Sequence, residues 1–195
     1  MANEETTRRP IIVCVDDDPE ILASVSRTLR RDALDVRTTL DCEEALAWLA
    51  EQPVAVLVSD YEMPQMTGGQ LTGKAKRVRP ETVRILLSGR RTLETALDGI
   101  NQGEIFRFIP KPFDNDGLRK DVAAAVERNR ELLALAGDRQ RRMRGERLRT
   151  ELESEYPGIT NAGRNAEGHY LLPSDVRADA TALGLAALFG SGSEG

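Results

Sequence analysis

Short runs of apolar residues alternate with amphipathic segments from Ile11 to about Ala136. The clearest run is Val54–Asp60, which is almost entirely apolar and ends on a carboxylate. A continuous apolar run of this length predicts a strand that is buried on both faces of a parallel sheet. Comparable patterns predict four further strands, over residues 11–15, 36–39, 82–88 and 105–109.

Amphipathic segments with helical spacing lie between and after these runs. The first begins at Asp18-Pro19, which is a typical N-cap and first-turn pair, and ends near Asp32. The second begins at Asp41, and Glu44 stands at the spacing of a capping box. Three more helices are predicted, over residues 71–78, 92–102 and 118–136. Strand and helix alternate five times, which predicts an α/β fold with a doubly wound, five-stranded parallel sheet and helices on both faces.

Composition narrows the class of protein. The chain has 195 residues, 40% of them hydrophobic and 30% charged, with a net charge of −5. This acidic total does not favour a nucleic-acid partner, and no apolar run approaches the roughly 20 residues of a membrane span. The N-terminal residues lack the apolar core of a signal peptide, so we expect a cytoplasmic protein in which Cys14 and Cys42 are reduced. His169 is the single histidine, which excludes any site that needs two.

The composition changes near Gly137. Residues 138–149 contain six arginines against two acids, a net charge of +4. We interpret this run as a solvated helix face or linker, and contact with an acidic partner or nucleic acid is the alternative. The domain prediction is therefore a main domain over residues 10–130, a helical extension or linker over 131–155, and a small tail over 156–195 with a possible hairpin. A homodimer through the extended fifth helix is possible, although the apolar spacing decays after Ala136.

Polar residues follow the ends of four predicted strands: Asp16 and Asp17, Asp60, Ser88, and Lys111. The carboxyl ends of parallel strands lie along one edge of a sheet, where open α/β sheets bind their ligands. Carboxylates that converge there repel each other, so we expect a cation, and oxygen ligands favour Mg²⁺. Lys111 would offset the charge of an incoming phosphoryl group and Ser88 would hydrogen-bond to it. Asp60 is then free to act as a nucleophile.

Four segments carry a resemblance to a known family: Val15–Pro19, Ser59–Gly68, Leu87–Gly89 and Lys111-Pro112. In this order and spacing they resemble the receiver domain of bacterial two-component response regulators, a CheY-like, flavodoxin-like fold. The resemblance covers about residues 10–130.

The resemblance implies roles for individual residues. Asp60 would be the phospho-acceptor, with Asp17 bound to Mg²⁺ directly and Asp16 mainly through water. The backbone carbonyl of Glu62 would be a further ligand of the ion.

Three more positions take their roles from the family. Ser88 would be the hydroxyl that moves toward the phosphoryl group, and Phe108 would be the switch aromatic. The peptide bond between Lys111 and Pro112 would be cis. Glu62 and Pro110 depart from the usual pattern: Glu62 could change the lifetime of the phosphoryl group, and Pro110 removes a backbone donor.

Three functional hypotheses follow. The first is a phosphorelay signalling module that accepts phosphoryl from a sensor histidine kinase or phosphotransfer protein and switches a surface that binds an unknown downstream protein. The second is a Mg²⁺-dependent aspartyl phosphatase with Glu62 as general acid, but such enzymes usually carry the nucleophile on their first strand. The third is a transcription factor with its output in residues 138–195, where we find no helix-turn-helix pattern and no zinc-ligand spacing.

Overall fold

The computed structural model describes residues 9–89, 105–155 and 157. The helix predicted over 92–102 and the hairpin predicted near 159–172 lie outside these ranges. The strands are β1 (Ile11–Val15), β2 (Asp35–Thr39), β3 (Val54–Asp60), β4 (Val83–Ser88) and β5 (Arg107–Pro110). The helices are α1 (Pro19–Leu29), α2 (Cys42–Glu51), α3 (Gly68–Val78) and a long C-terminal helix, here α4 (Asn115–Glu155).

The five strands form one parallel sheet in the order β2-β1-β3-β4-β5. The predicted fold class is therefore confirmed. β3 lies at the centre, and all seven of its residues are buried, because neighbouring strands and the helices on both faces enclose it. Its unbroken apolar sequence is the consequence of this position.

Two apolar clusters cover the faces of the sheet. Successive strand residues point to opposite faces, so in β1 Ile12 joins one cluster and Val13 the other. α1 and the first part of α4 cover the first face, with Leu22 and Val122 among the buried residues. α2 and α3 cover the second face. Within the described ranges, no helix has both the length and the apolar character of a membrane span.

The helix starts follow the local sequence closely. Asp18 caps α1 by accepting a hydrogen bond from the Glu20 N–H at 2.8 Å, with Pro19 in the first turn, as predicted. Asp41 caps α2 in the same way. The capping box predicted there does not form: the Glu44 carboxylate accepts from the Thr39 hydroxyl instead. The Asp41 N–H donates to the Thr39 hydroxyl oxygen. It is therefore not available for the Glu44 side chain, which would accept it in a capping box.

The capping box in the described part of the chain lies at α3. Thr67 accepts from the Gln70 N–H, and the Gln70 side chain accepts from the Thr67 N–H. The cap explains why α3 begins at Gly68, three residues before the start predicted from its apolar positions. β5 in turn begins at Arg107, two residues later than predicted.

α4 divides into two stretches with different surroundings. Its buried residues lie in the first four turns: Leu118, Val122, Ala125, Val126 and Asn129. The described chain separates into two units between Leu135 and Ala136. The extension past residue 130 is helical as far as Glu155, and from residue 138 to 151 every residue is exposed.

Candidate functional site

The strand register brings the polar strand ends to one edge of the sheet. Val15 pairs with Ser59, so Asp16, directly after β1, lies at the same level as Asp60, the last residue of β3. Asp60 pairs with Leu87 on its other side, and Ser88 pairs with Pro110. These side chains therefore all lie at the carboxyl-terminal edge of the parallel sheet, where the strands lead into their connecting loops.

Lys111 joins two of the carboxylates. Its ammonium nitrogen lies 2.6 Å from Asp16 Oδ2 and 2.6 Å from Asp60 Oδ1. The Asp16 and Asp60 side chains are only 2% and 7% exposed, and the Lys111 side chain is 22% exposed. The Lys111 backbone N–H donates to the Ser88 carbonyl at 2.8 Å, which fixes the residue at the end of β4. The peptide bond from Lys111 to Pro112 is cis.

The second oxygen of each buried carboxylate is held by a backbone donor. Asp16 Oδ1 accepts from the Asp18 N–H at 3.0 Å. Asp60 Oδ2 accepts from the Glu62 N–H at 2.7 Å. Both aspartates are thus oriented by one lysine and one loop amide, so their side chains have little rotational freedom.

Asp17 completes an acidic group with Asp16 and Asp60. One carboxylate oxygen from each of the three lies within 4.8 Å of the others. Asp17 is exposed, whereas the other two are buried. Among the described residues, the one ammonium group that contacts these acids does not balance three carboxylates, and an all-oxygen donor set of this size suits a hard divalent ion such as Mg²⁺. The residues present therefore fit the ion that the sequence predicts.

The pKa shifts follow from burial and from this sharing of charge. Burial raises the pKa of Asp16, and the hydrogen bond from Lys111 offsets this only in part. Burial alone would lower the pKa of Lys111, but its hydrogen bonds to Asp16 and Asp60 outweigh that effect and the pKa is raised. The pKa of Asp16 is raised because burial outweighs its hydrogen bonds, whereas the pKa of Lys111 is raised because two carboxylates together outweigh its burial. We conclude that Lys111 is cationic in the folded protein.

Ser88 ends β4 at the same edge of the sheet, and Phe108 lies in the neighbouring strand β5. Ser88 is buried, and its hydroxyl donates to the Gly89 carbonyl at 3.1 Å. Phe108 is half-buried in β5, where it pairs with Leu86 of β4. Paired residues of parallel strands share a face, and so do residues two apart, which places Phe108 on the face of Leu86 and Ser88.

The loop after Asp60 is shaped by residues to which the sequence motifs assign no role. A Cβ built on Gly68 would lie 2.2 Å from the Asp60 carbonyl oxygen and 2.8 Å from Leu86 Cδ2. Gln65 and Met63 contact Cys42 at the start of α2. The Gly-Gly pair after Thr67 is a sequence signal for such a close approach, whereas no sequence pattern identifies the contacts of Gln65.

Comparison with known proteins identifies the family. The family model described as the response regulator receiver domain matches residues 12–123, more than half of the chain. The chain belongs to this receiver family. Phosphorylation on an aspartate and Mg²⁺ binding at an acidic pocket are general properties of the family.

Several proteins with known sequences or structures are similar to this chain. The hydrogenase transcriptional regulatory protein HoxA of Cupriavidus necator is 34% identical over 120 residues, which are 62% of this chain and 25% of HoxA. The signal receiver domain of an HD domain-containing protein from Pseudomonas fluorescens Pf-5 is 33% identical with a TM-score of 0.62. That match covers 66% of this chain and 94% of the solved one.

A third similar protein is described as an adenylate cyclase from Rhodopirellula baltica. Its crystal structure is 29% identical, with a TM-score of 0.63, and the match covers 68% of this chain and 98% of that one. The chain spans about a quarter of the length of the curated relatives that it matches. The similarity therefore concerns the receiver part of those proteins.

Proposed function

We propose that this chain is the phospho-accepting signalling module of a two-component phosphorelay, with Asp60 as the acceptor. Receiver domains interact with histidine kinases or phosphotransfer proteins, and one of these would be the donor. The observation that supports the proposal best is the shared position of Lys111 between Asp16 and Asp60, beside Asp17. This arrangement provides a carboxylate nucleophile next to a cation in a largely buried edge of the sheet.

The transfer step requires no redox chemistry. An oxygen of the Asp60 carboxylate attacks the phosphorus of a phosphohistidine, and the phosphorus–nitrogen bond of the donor breaks. The histidine of the donor leaves with the electron pair and takes a proton from solvent. Lys111 attracts the incoming phosphoryl oxygens and keeps its positive charge throughout, because its pKa is raised.

Asp16, Asp17 and Asp60, with the backbone carbonyl of Glu62, would hold the magnesium ion. When bound, the ion supplies positive charge that reduces repulsion between these acids and the phosphoryl oxygens. The Ser88 hydroxyl would leave its contact with the Gly89 carbonyl and donate to a phosphoryl oxygen. Phe108 would then change its position on the face that it shares with Leu86 and Ser88. The altered surface of β4 and β5 would be the one that a downstream protein recognises.

The output of the module belongs to the same proposal. The similar proteins are described as a transcriptional regulator, an HD domain-containing protein and an adenylate cyclase, so receiver domains of this type serve different outputs. We assign residues 10–130 to the receiver, residues 131–155 to a helical extension and residues 156–195 to a tail, and we assign protein contact to the region after residue 138. Neither a DNA-binding nor an enzymatic output is part of this proposal. We also propose that the protein acts in the cytoplasm, where ATP-dependent kinases act.

Acetyl phosphate and Mg²⁺ provide a direct test, with intact mass spectrometry as the readout. The wild-type protein should gain one phosphoryl group, and Asp60→Asn should gain none, because an amide is a poor nucleophile. Asp18→Asn is the matched control: it changes a nearby aspartate that caps α1, and asparagine is an equally good cap. Undiminished labelling of Asp60→Asn would overturn the proposal.

A further inference from the structure

The loop after the proposed acceptor is fastened to the first residue of α2. The Cys42 N–H donates to Gln65 Oε1 at 3.0 Å, and the Cys42 thiol lies 3.9 Å from the Met63 sulfur. Cys42 is fully buried and Met63 is 9% exposed. One residue of α2 therefore holds two residues of a loop that lies more than 20 positions away in the chain.

The same loop supplies the backbone donor that orients Asp60. Glu62 stands one residue before Met63 and donates its N–H to Asp60 Oδ2. The start of the loop is fixed by the Tyr61 N–H, which donates to the Leu87 carbonyl at 2.9 Å. Its end is fixed by the Gly68 N–H, which donates to the Tyr61 carbonyl at 2.9 Å. Between these two ends, Gln65 provides a polar attachment of the loop to α2.

We infer that Gln65 is a positioning residue for phosphoryl transfer: by holding the loop on α2 it keeps the Glu62 N–H on Asp60 Oδ2, so that Asp60 Oδ1 stays beside Lys111. This inference rests on the proposed function of Asp60. The hydrogen bond is not needed to start α2, because Asp41 already caps that helix through the Glu43 N–H. Gln65 is also an exposed residue and contributes no apolar surface to the core. Its contact therefore fastens the loop, and neither the start of α2 nor the apolar core depends on it.

Three variants separate positioning from general destabilisation. Gln65→Met keeps the side-chain length and removes the acceptor, whereas Gln65→Glu keeps an acceptor oxygen for the Cys42 N–H. Gln52→Met is the matched control, because Gln52 lies at the opposite end of α2 and its Oε1 accepts from Arg37 at 2.5 Å. Each protein is labelled with acetyl phosphate and Mg²⁺ at several acetyl phosphate concentrations, and the initial rate and the final stoichiometry are recorded.

Loss of one hydrogen bond of ordinary strength should slow the maximal labelling rate of Gln65→Met about two- to tenfold. The half-saturating acetyl phosphate concentration and the final stoichiometry should stay at the wild-type values, because the protein remains folded and binds the reagent equally well. Gln65→Glu and Gln52→Met should label at nearly the wild-type rate. In the absence of acetyl phosphate, exchange of the Glu62 amide hydrogen should be faster in Gln65→Met than in the wild type.

Different failures overturn different statements. If the wild type is labelled on Asp60 and Gln65→Met is labelled equally fast, the role of Gln65 is refuted and the proposed function stands. Equal slowing of Gln52→Met, or a reduced final stoichiometry in Gln65→Met, would also refute it, because both indicate loss of folding. If the wild type takes no phosphoryl group on Asp60, the proposed function fails and the role of Gln65 fails with it.

Discussion

Two regions of this molecule contain ion pairs between the same kinds of side chain, with different surroundings. At the edge of the sheet, Lys111 contacts Asp16 and Asp60, which are 95 and 51 residues away, and both carboxylates are almost fully buried. In the distal part of α4, which comprises residues 138–155, Arg141 contacts Asp138 one helical turn earlier. The two side chains are 75% and 58% exposed. The first pair depends on the fold, whereas the second depends only on the helix.

The comparison teaches that the contribution of an ion pair to stability depends on how deeply its side chains are buried and on whether one cation serves two carboxylates. An exposed pair gains little, because water and salt screen both charges whether or not they meet. A buried carboxylate that loses its partner cannot recover its hydration, so the loss of a shared cation is costly. A count of ion pairs would treat the two regions alike.

The largest effect is expected from Lys111→Met. Without the ammonium group, the two buried carboxylates repel each other and have no cationic partner, so the free energy of unfolding should fall by about 3 kcal/mol when no divalent ion is added. Chemical denaturation in the presence of a chelator measures this change. Labelling by acetyl phosphate should also fall, by about a hundredfold, because the cation nearest the acceptor oxygen is lost.

Lys74→Met is the control for this prediction. Lys74 also forms an ion pair, with Glu43 at 3.0 Å, but the two side chains are 43% and 66% exposed. The free energy of unfolding should therefore change by less than about 1 kcal/mol. Equal losses in the two variants would contradict the argument that burial sets the scale.

The next effect concerns backbone packing beside the acceptor. Gly68→Ala should destabilise the protein by about 1–3 kcal/mol, because the new Cβ meets the Asp60 carbonyl oxygen at 2.2 Å. Gly73→Ala, in the same helix, should instead stabilise it by about 0.5–1 kcal/mol, because alanine is the better helix former and its Cβ would meet no atom within 4 Å apart from the adjoining residues and the helix's own backbone. Thermal unfolding of both variants tests the pair, and the same sign of change in both would be inconsistent with the packing described.

A smaller effect depends on pH. Arg119 donates two hydrogen bonds to Asp32, at 2.6 and 3.1 Å, and these lower the pKa of Asp32. The pair therefore stabilises the protein above the ordinary pKa of 3.8, and this stabilisation is lost as the pH falls through the lowered folded value. Arg119→Met should be slightly less stable than the wild type at neutral pH, and the two should converge as the pH falls below the lowered pKa of Asp32. Urea denaturation across this pH range measures the difference in the free energy of unfolding between the two proteins. A difference that does not change with pH would show that the pair of Arg119 and Asp32 does not stabilise the protein.

The smallest effect is expected in the distal part of α4. Arg141→Ala removes an exposed pair within the helix and introduces the best helix former, so the free energy of unfolding should change by less than about 0.5 kcal/mol. Circular dichroism should show unchanged helical content. A loss comparable to that of Lys111→Met would mean that this region has contacts beyond its own helix.

Much of the fold can be predicted from local sequence. β1 and β3 have the predicted bounds because their residues are apolar without interruption, and such runs are stable only inside a covered sheet. Asp18-Pro19 and Asp41 mark the starts of α1 and α2 because a helix N-terminus needs nearby acceptors for its free N–H groups. These features depend on neighbours in the chain.

Other features could not be predicted, either because nearby side chains compete for the same hydrogen bonds or because the contacts join distant residues. The capping box at Asp41 fails because Thr39 supplies competing contacts. The attachment of Gln65 to α2 and the pairing of Lys111 with both Asp16 and Asp60 join segments 23 to 95 residues apart. Sequence analysis could place the acids and the lysine at one sheet edge, but it could not give the distances between them.

The amino-acid sequence alone therefore determines the order of strands and helices, the family and the residues at the carboxyl ends of the strands. These follow from apolar periodicity, helix caps and motif spacing, each of which acts over a few residues. The tertiary structure alone decides that one lysine serves two carboxylates, that a loop amide orients the acceptor and that α2 holds this loop. Those contacts exist only when the sheet register brings remote segments within hydrogen-bond distance, because the energy of a hydrogen bond or a buried charge depends on separations of a few ångströms.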